Sequence, residues 1–133
     1  MSGDIVANGL AAWHGYMESG GDPAKLSAIL DDEVVFESPV VHTPQRGKAI
    51  TTKYLLSAAQ VLGGSNFRYV GEWRNADSAI LEFEQEIDGI KIDGIDMIWW
   101  NADGRIVRFK VMVRPLKAMN LLHQMMGAQL AKG

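Results

Sequence analysis

The chain contains no cysteine, which excludes a disulfide framework and thiolate chemistry. It has no apolar run approaching the length of a bilayer crossing. It also lacks a basic excess: the net charge is −3 at pH 7, against the basic face that a nucleic-acid partner favours. The first six residues carry an acid where a secretory signal has a basic region, so no signal peptide is expected. No glycine loop of the phosphate-binding kind is present, and Gly63-Gly64 reads as a helix stop. No Gly-x-Ser-x-Gly turn is present, which excludes a hydrolase with a serine of that type. The three histidines lie far apart, and Asp88, Asp93 and Asp96 lack calcium-loop spacing. The expectation is a soluble, cytoplasmic protein with no membrane segment, no metal and no cofactor.

What is present is ordinary in bulk and informative in pattern. At 133 residues, with 47% apolar and 22% charged, the chain reads as one domain over 1–133 with a real core. Ile5, Val6, Gly9, Leu10, Trp13, Tyr16 and Met17 recur at helical spacing and predict a helix over 4–18. Asp22 caps a second, short helix with Pro23 at its first position. A strand follows over 34–38, then a loop to Pro44. A third helix after Gly47 presents Ile50, Tyr54, Ser57, Ala58 and Val61 inward. From residue 66 the chain alternates as strands do: Phe67, Tyr69, Gly71 and Trp73 on one face, then Leu81, Phe83, Gln85 and Ile87. Asp88-Gly89 is a hairpin turn and Asn101–Gly104 another. Three helices followed by a meander predict an α+β fold with the helices on a curved, mostly antiparallel sheet.

The strand over 90–100 organises the rest. It places one acid, Asp96, among Ile95, Met97, Ile98 and two tryptophans. A carboxyl there is costly to ionise without a partner, so burial raises its pKa. Gly94, two residues earlier, marks a bulge or a close approach. A last helix, about 116–131, carries Leu116, Met119, Leu122, His123, Met126 and Leu130 on one stripe, with Leu121 and Met125 on a second. Two apolar faces predict that it packs between subunits of a homodimer or closes a cavity.

The order helix, Gly21-Asp22, short helix, 31–39 (Asp-Asp-Glu-Val-Val-Phe-Glu-Ser-Pro), Pro44-Gln45-Arg46-Gly47-Lys48, helix and meander resembles the NTF2-like superfamily. This is the α+β cone of ketosteroid isomerases and SnoaL-like polyketide cyclases. The resemblance spans roughly 5–114 and is specific for fold, not for activity. It implies that Asp96, in Gly94-Ile95-Asp96-Met97-Ile98-Trp99, occupies the place of the isomerases' neutral, hydrogen-bond-donating aspartate. It places His14 where the family has a tyrosine donor, with Tyr16 two residues on. Ser38 stands where the family has its aspartate base, with Glu37 beside it on the opposite strand face. A neutral serine does not take a proton next to a carbonyl unaided, so the standard steroid isomerisation is not expected.

From these residues the expected catalytic pair is Asp96 and His14, the carboxylate orienting an imidazole that moves a proton. Ser38, Tyr54, Phe83, Trp100 and the loop residue His42 are the expected substrate contacts. The predicted ligand is an apolar small molecule with one carbonyl or hydroxyl near Asp96. The expected activity is a SnoaL-like isomerase, cyclase or lyase working by acid–base and oxyanion stabilisation. The alternative is a non-catalytic NTF2-like binding or interaction module.

Overall fold

The structure, a computed structural model, describes residues 4–132. Helix α1 (Ile5–Glu18) begins where the Asp4 carboxylate accepts the Ala7 N–H at 2.9 Å. It buries Val6, Leu10, Trp13 and Tyr16, the stripe expected from spacing. Helix α2 (Pro23–Ile29) is capped by Asp22, which accepts the Ala24 N–H at 3.0 Å. Strand β1 (Leu30–Glu37) starts four residues earlier than expected, because only the buried Leu30 and Val34 need to face inward and Asp31–Glu33 remain outside. A two-residue strand β2 (Gln45–Arg46), too short to leave a pattern in sequence, pairs with Val35 and Phe36.

Helix α3 (Lys48–Leu62) follows Gly47, whose φ of 106° suits glycine. Its buried residues are Thr51, Leu55, Ser57 and Val61. Ser57 and Val61 were expected. At the N-terminal end the inward line runs through Thr51 and Leu55 rather than Ile50 and Tyr54. Strands β3 (Arg68–Arg74), β4 (Ser78–Ile87), β5 (Ile90–Trp100) and β6 (Ile106–Arg114) form the meander. The sheet order is β2-β1-β6-β5-β4-β3, antiparallel except for β1 beside β6. Asp88 and Gly89 both take positive φ, 54° and 77°, as a two-residue hairpin turn requires.

The sheet has three register shifts, one between Leu30 and Val35 where β1 meets β6 and two in the meander. Between Tyr69 and Gly71 the pairing of β3 with β4 shifts by one residue at Val70. Beyond it the faces exchange, so Trp73 stands opposite Ile80 on the outer face and is 56% exposed. Trp73 therefore does not share the inner face with Tyr69, as simple alternation predicted. A second shift lies between Trp99 and Trp100 opposite β6. At Gly94 the ladder is regular and the glycine marks a close approach: a Cβ there would lie 2.4 Å from the Phe83 ring and 2.9 Å from the Met112 carbonyl oxygen.

Helix α4 (Leu116–Lys132) lies on the same side of the sheet as α1 and α3, against α3, β5 and β6. Ala118 and Leu122 are buried, and Leu121, Met125 and Met126 pack around Phe83 and Ile92. Residues of both apolar rows thus pack within the chain, while Leu116 at the start of the helix is 75% exposed. Among the described residues no helix is long and apolar enough to cross a membrane.

Candidate functional site

Asp96 lies in the middle of β5, on the inward row that includes Ile92, Gly94, Ile98 and Trp100. It is 7% exposed, with Leu81 of β4 and Val111 of β6 as its cross-strand neighbours. Apolar burial penalises the carboxylate and pushes the Asp96 pKa from the ordinary 3.8 up to about 7; a hydrogen bond from Tyr69 opposes part of that rise.

That bond fixes the carboxyl. Tyr69 of β3 donates its hydroxyl to Asp96 Oδ2 at 2.6 Å, and accepts the indole N–H of Trp13 at 3.0 Å. Burial, and then the nearby Asp96 charge, hold the Tyr69 hydroxyl well above its ordinary pKa, so it remains a donor. The chain Trp13→Tyr69→Asp96 joins α1, β3 and β5. It commits Oδ2 as an acceptor, so a proton taken up by the neutral acid belongs on Oδ1. Oδ1 has no hydrogen-bond partner among the described residues.

Asp96 opens into a cavity of about 80 Å³ between the sheet and the helices. Its walls include Trp13 and Tyr16 of α1, Phe83 and Phe109 of the sheet, and Leu122 and Met126 of α4. Among the lining residues only Asp96 and Tyr16 are titratable. The Tyr16 hydroxyl is buried without a hydrogen-bond partner among the described residues, and burial pushes its pKa up to about 12. It lies near Gly21, where a Cβ would be 3.9 Å from it. Ser38 lines the cavity where β1 ends, its Oγ accepting the Val40 N–H at 3.1 Å.

Of the residues expected from sequence, Asp96, Ser38 and Phe83 therefore meet at one cavity. His14 does not join them. One position off the inward stripe of α1, it rests half-buried against the edge of the Tyr69 ring, 5.6 Å between centroids. It makes no hydrogen bond to Asp96; Tyr69 occupies that place instead. Tyr54 packs on the far side of Phe36, 5.4 Å between centroids, and Trp100 is core packed against Gly9. His42 is exposed on the loop after β1, in a surface groove beside the cavity. The two residues not foreseen are Tyr69 and Tyr16. Tyr16 carried a usable signal, since it lies on the α1 stripe three residues after Trp13 whereas His14 does not. Tyr69 lay on the expected inner face, but its pairing with Asp96 reaches across the intervening strand β4.

Comparison with known proteins agrees with this architecture. The structure superposes on a steroid delta-isomerase from Pseudomonas aeruginosa with a TM-score of 0.89 and 35% identity, covering 96% of this chain and 93% of that one. An uncharacterised bacterial protein with a cystatin-like fold, from Silicibacter pomeroyi, gives a TM-score of 0.80 and 28% identity over 89% of this chain and 84% of its own. The epoxide hydrolase/cyclase-like enzyme SalBIII, of pyran ring formation in salinomycin, shares the fold at a TM-score of 0.64 and 12% identity, over 83% and 93% of the two chains. No protein of curated function matches. The SnoaL-like domain family matches residues 10–109. By that match, the chain belongs to the SnoaL-like family and carries its NTF2-like fold.

Proposed function

We propose that this protein is a cofactor-independent acid–base enzyme of the isomerase or cyclase type, acting on an apolar carbonyl compound in the cavity. The observation that carries this reading is one carboxyl, held by Tyr69 and with a pKa near 7, opening into an otherwise apolar space. A general base is most effective when its pKa lies near the working pH. Ser38 is not such a base, and Asp96 is the one carboxyl on the cavity wall. Ionised Asp96 removes a proton from the carbon next to the substrate carbonyl, and the electron pair moves onto the carbonyl oxygen as an enolate. Tyr16, with a hydroxyl that has no acceptor among the described residues, donates to that oxygen. Neutral Asp96 then returns the proton to another carbon, which completes an isomerisation without net loss of atoms. This assigns Asp96 the proton transfer and Tyr16 the oxyanion, whereas the family resemblance gave Asp96 the donor role.

The relative described as a steroid delta-isomerase supports the reaction type. The size of the cavity argues for a different substrate. At about 80 Å³ it is well under the roughly 300 Å³ of the smaller drug-sized sites, so a small ring or the head of a longer molecule enters it.

The test is hydrogen–deuterium exchange at the α-carbon of small cyclic ketones in D2O, followed by NMR. Wild type accelerates exchange over buffer, with a rate that rises as pH passes 7. Asp96→Asn abolishes the acceleration. Tyr16→Phe lowers it by about 10²-fold, as loss of one oxyanion donor does elsewhere, and leaves stability unchanged or higher because no hydrogen bond is lost. Ketone binding that depends on Asp96, with no exchange, identifies a non-catalytic binder.

A further inference from the structure

We infer that the substrate carries a carboxylate tail, which lies outside the cavity in the groove crossed by Lys110 and His42. The inference rests on the reading of Asp96 given above and extends it to substrate class.

The first observation is one of space. The cavity holds only a small group, yet a groove of about 580 Å³ shares part of its wall, through Ser38, Pro39, Val40, Val111 and Val113. The groove exists because the sheet stops short on one side. β1 pairs with β6 as far as Glu37 opposite Lys110; β6 continues to Arg114 paired with β5 on its other edge but, among the described residues, with no strand on the β1 side. A molecule whose head reaches Asp96 has this opening beside it for the remainder of its length.

The second observation is the chemistry of the groove. Its middle is apolar, with Val41, Met112 and Met119 in reach of an alkyl chain. Its polar lining is Glu37, His42 and Lys110, besides the shared Ser38. Glu37 is engaged by Arg108 at 2.6 Å, and its carboxyl is held below the ordinary range by Arg108, with further help from Lys110 and Arg46. Of these three cations Lys110 lines the groove itself, and Arg108 and Arg46 offset the Glu37 charge from beside it. Neither Lys110 nor His42 has a hydrogen-bond or ion-pair partner among the described residues. An ammonium and an imidazole on the wall of a largely apolar groove are complementary to a carboxylate. The substrate class that fits both spaces is a carboxylic acid with an apolar chain and a carbonyl at its far end.

Two probes test this: a phenol bearing a para-alkyl chain of about six carbons that ends in a carboxylate, and the same molecule ending in a primary alcohol. A short para-alkylphenol without the tail reports on the Asp96 end alone. Wild type binds the acid about tenfold more tightly than the alcohol at low salt, and about 0.5 M salt erases the difference. Lys110→Gln combined with His42→Gln removes the preference and leaves the short phenol's affinity unchanged, which also shows that the variant is folded. Equal affinity for acid and alcohol in wild type, with the short phenol still dependent on Asp96, overturns the tail assignment while the Asp96 reading stands. Failure of the short phenol to bind overturns both.

Discussion

At the residue scale, the site depends on how one tyrosine constrains one aspartate. Without Tyr69, Asp96 loses the interaction that opposes its upward pKa shift, and Trp13 loses the acceptor of its buried indole N–H. Tyr69→Phe is therefore expected to destabilise the fold by about 1–3 kcal/mol, the cost of unpaired buried groups. The same change moves the midpoint of the exchange pH profile upward, because the carboxylate becomes harder to form. Denaturant titration gives the first quantity and the profile gives the second. A purely structural tyrosine would alter stability and leave the midpoint in place. Asp96 itself was legible in the sequence, as a lone acid in an alternating apolar strand. Its partner was not: His14 is a better acid–base residue by type, but a helix turns 100° per residue and carries it off the inward stripe. Residue chemistry nominated His14, and helix geometry excluded it from hydrogen-bonding Asp96.

At the element scale, the position of Asp96 depends on strands that are regular where they must be and irregular elsewhere. The meander, two of its three turns and the inward row of β5 followed from alternation and from Asp88-Gly89 and Asn101–Gly104. The extra residue at Val70 did not, because a bulge leaves no composition signal; it reverses Trp73 while keeping Tyr69 inward. β2 was hidden for a different reason, since two residues carry no period. Gly94 is the point where β4 and β5 leave no space. Gly94→Ala would force the Phe83 ring away and press on the Met112 backbone, at a cost of about 1–3 kcal/mol for overpacking. Because Phe83 also lines the cavity, the variant is expected to lose affinity for phenols together with stability, which thermal melts with and without ligand will show.

At the scale of the whole molecule, α4 decides what kind of site the cone contains. Its two apolar rows suggested a subunit interface or a cover; within the chain, Leu122 and Met126 cover one side of the cavity. Under that cover Asp96 makes folding depend on pH. Its folded pKa of about 7 lies above the ordinary 3.8, so the native state holds a proton that the unfolded chain has released between those values. Stability is then highest near pH 4 and declines as pH rises towards 7. The decline attributable to this group is on the order of 4 kcal/mol at 1.36 kcal/mol per pKa unit. Asp96→Asn, which cannot ionise, should lack this component, and the change in the gap between the two proteins in denaturant titrations at pH 4 and pH 8 measures most of it. A gap that stays constant with pH would contradict the assignment.

The central claim is that Asp96 exchanges its proton near neutral pH, and carbon NMR of the labelled aspartate side chains tests it most directly. The Asp96 carboxyl resonance, identified by its absence in Asp96→Asn, is predicted to titrate with a midpoint near 7 and to move upward in Tyr69→Phe. A midpoint near 4, among the other aspartates, would contradict the account and remove the basis for proton transfer in this cavity.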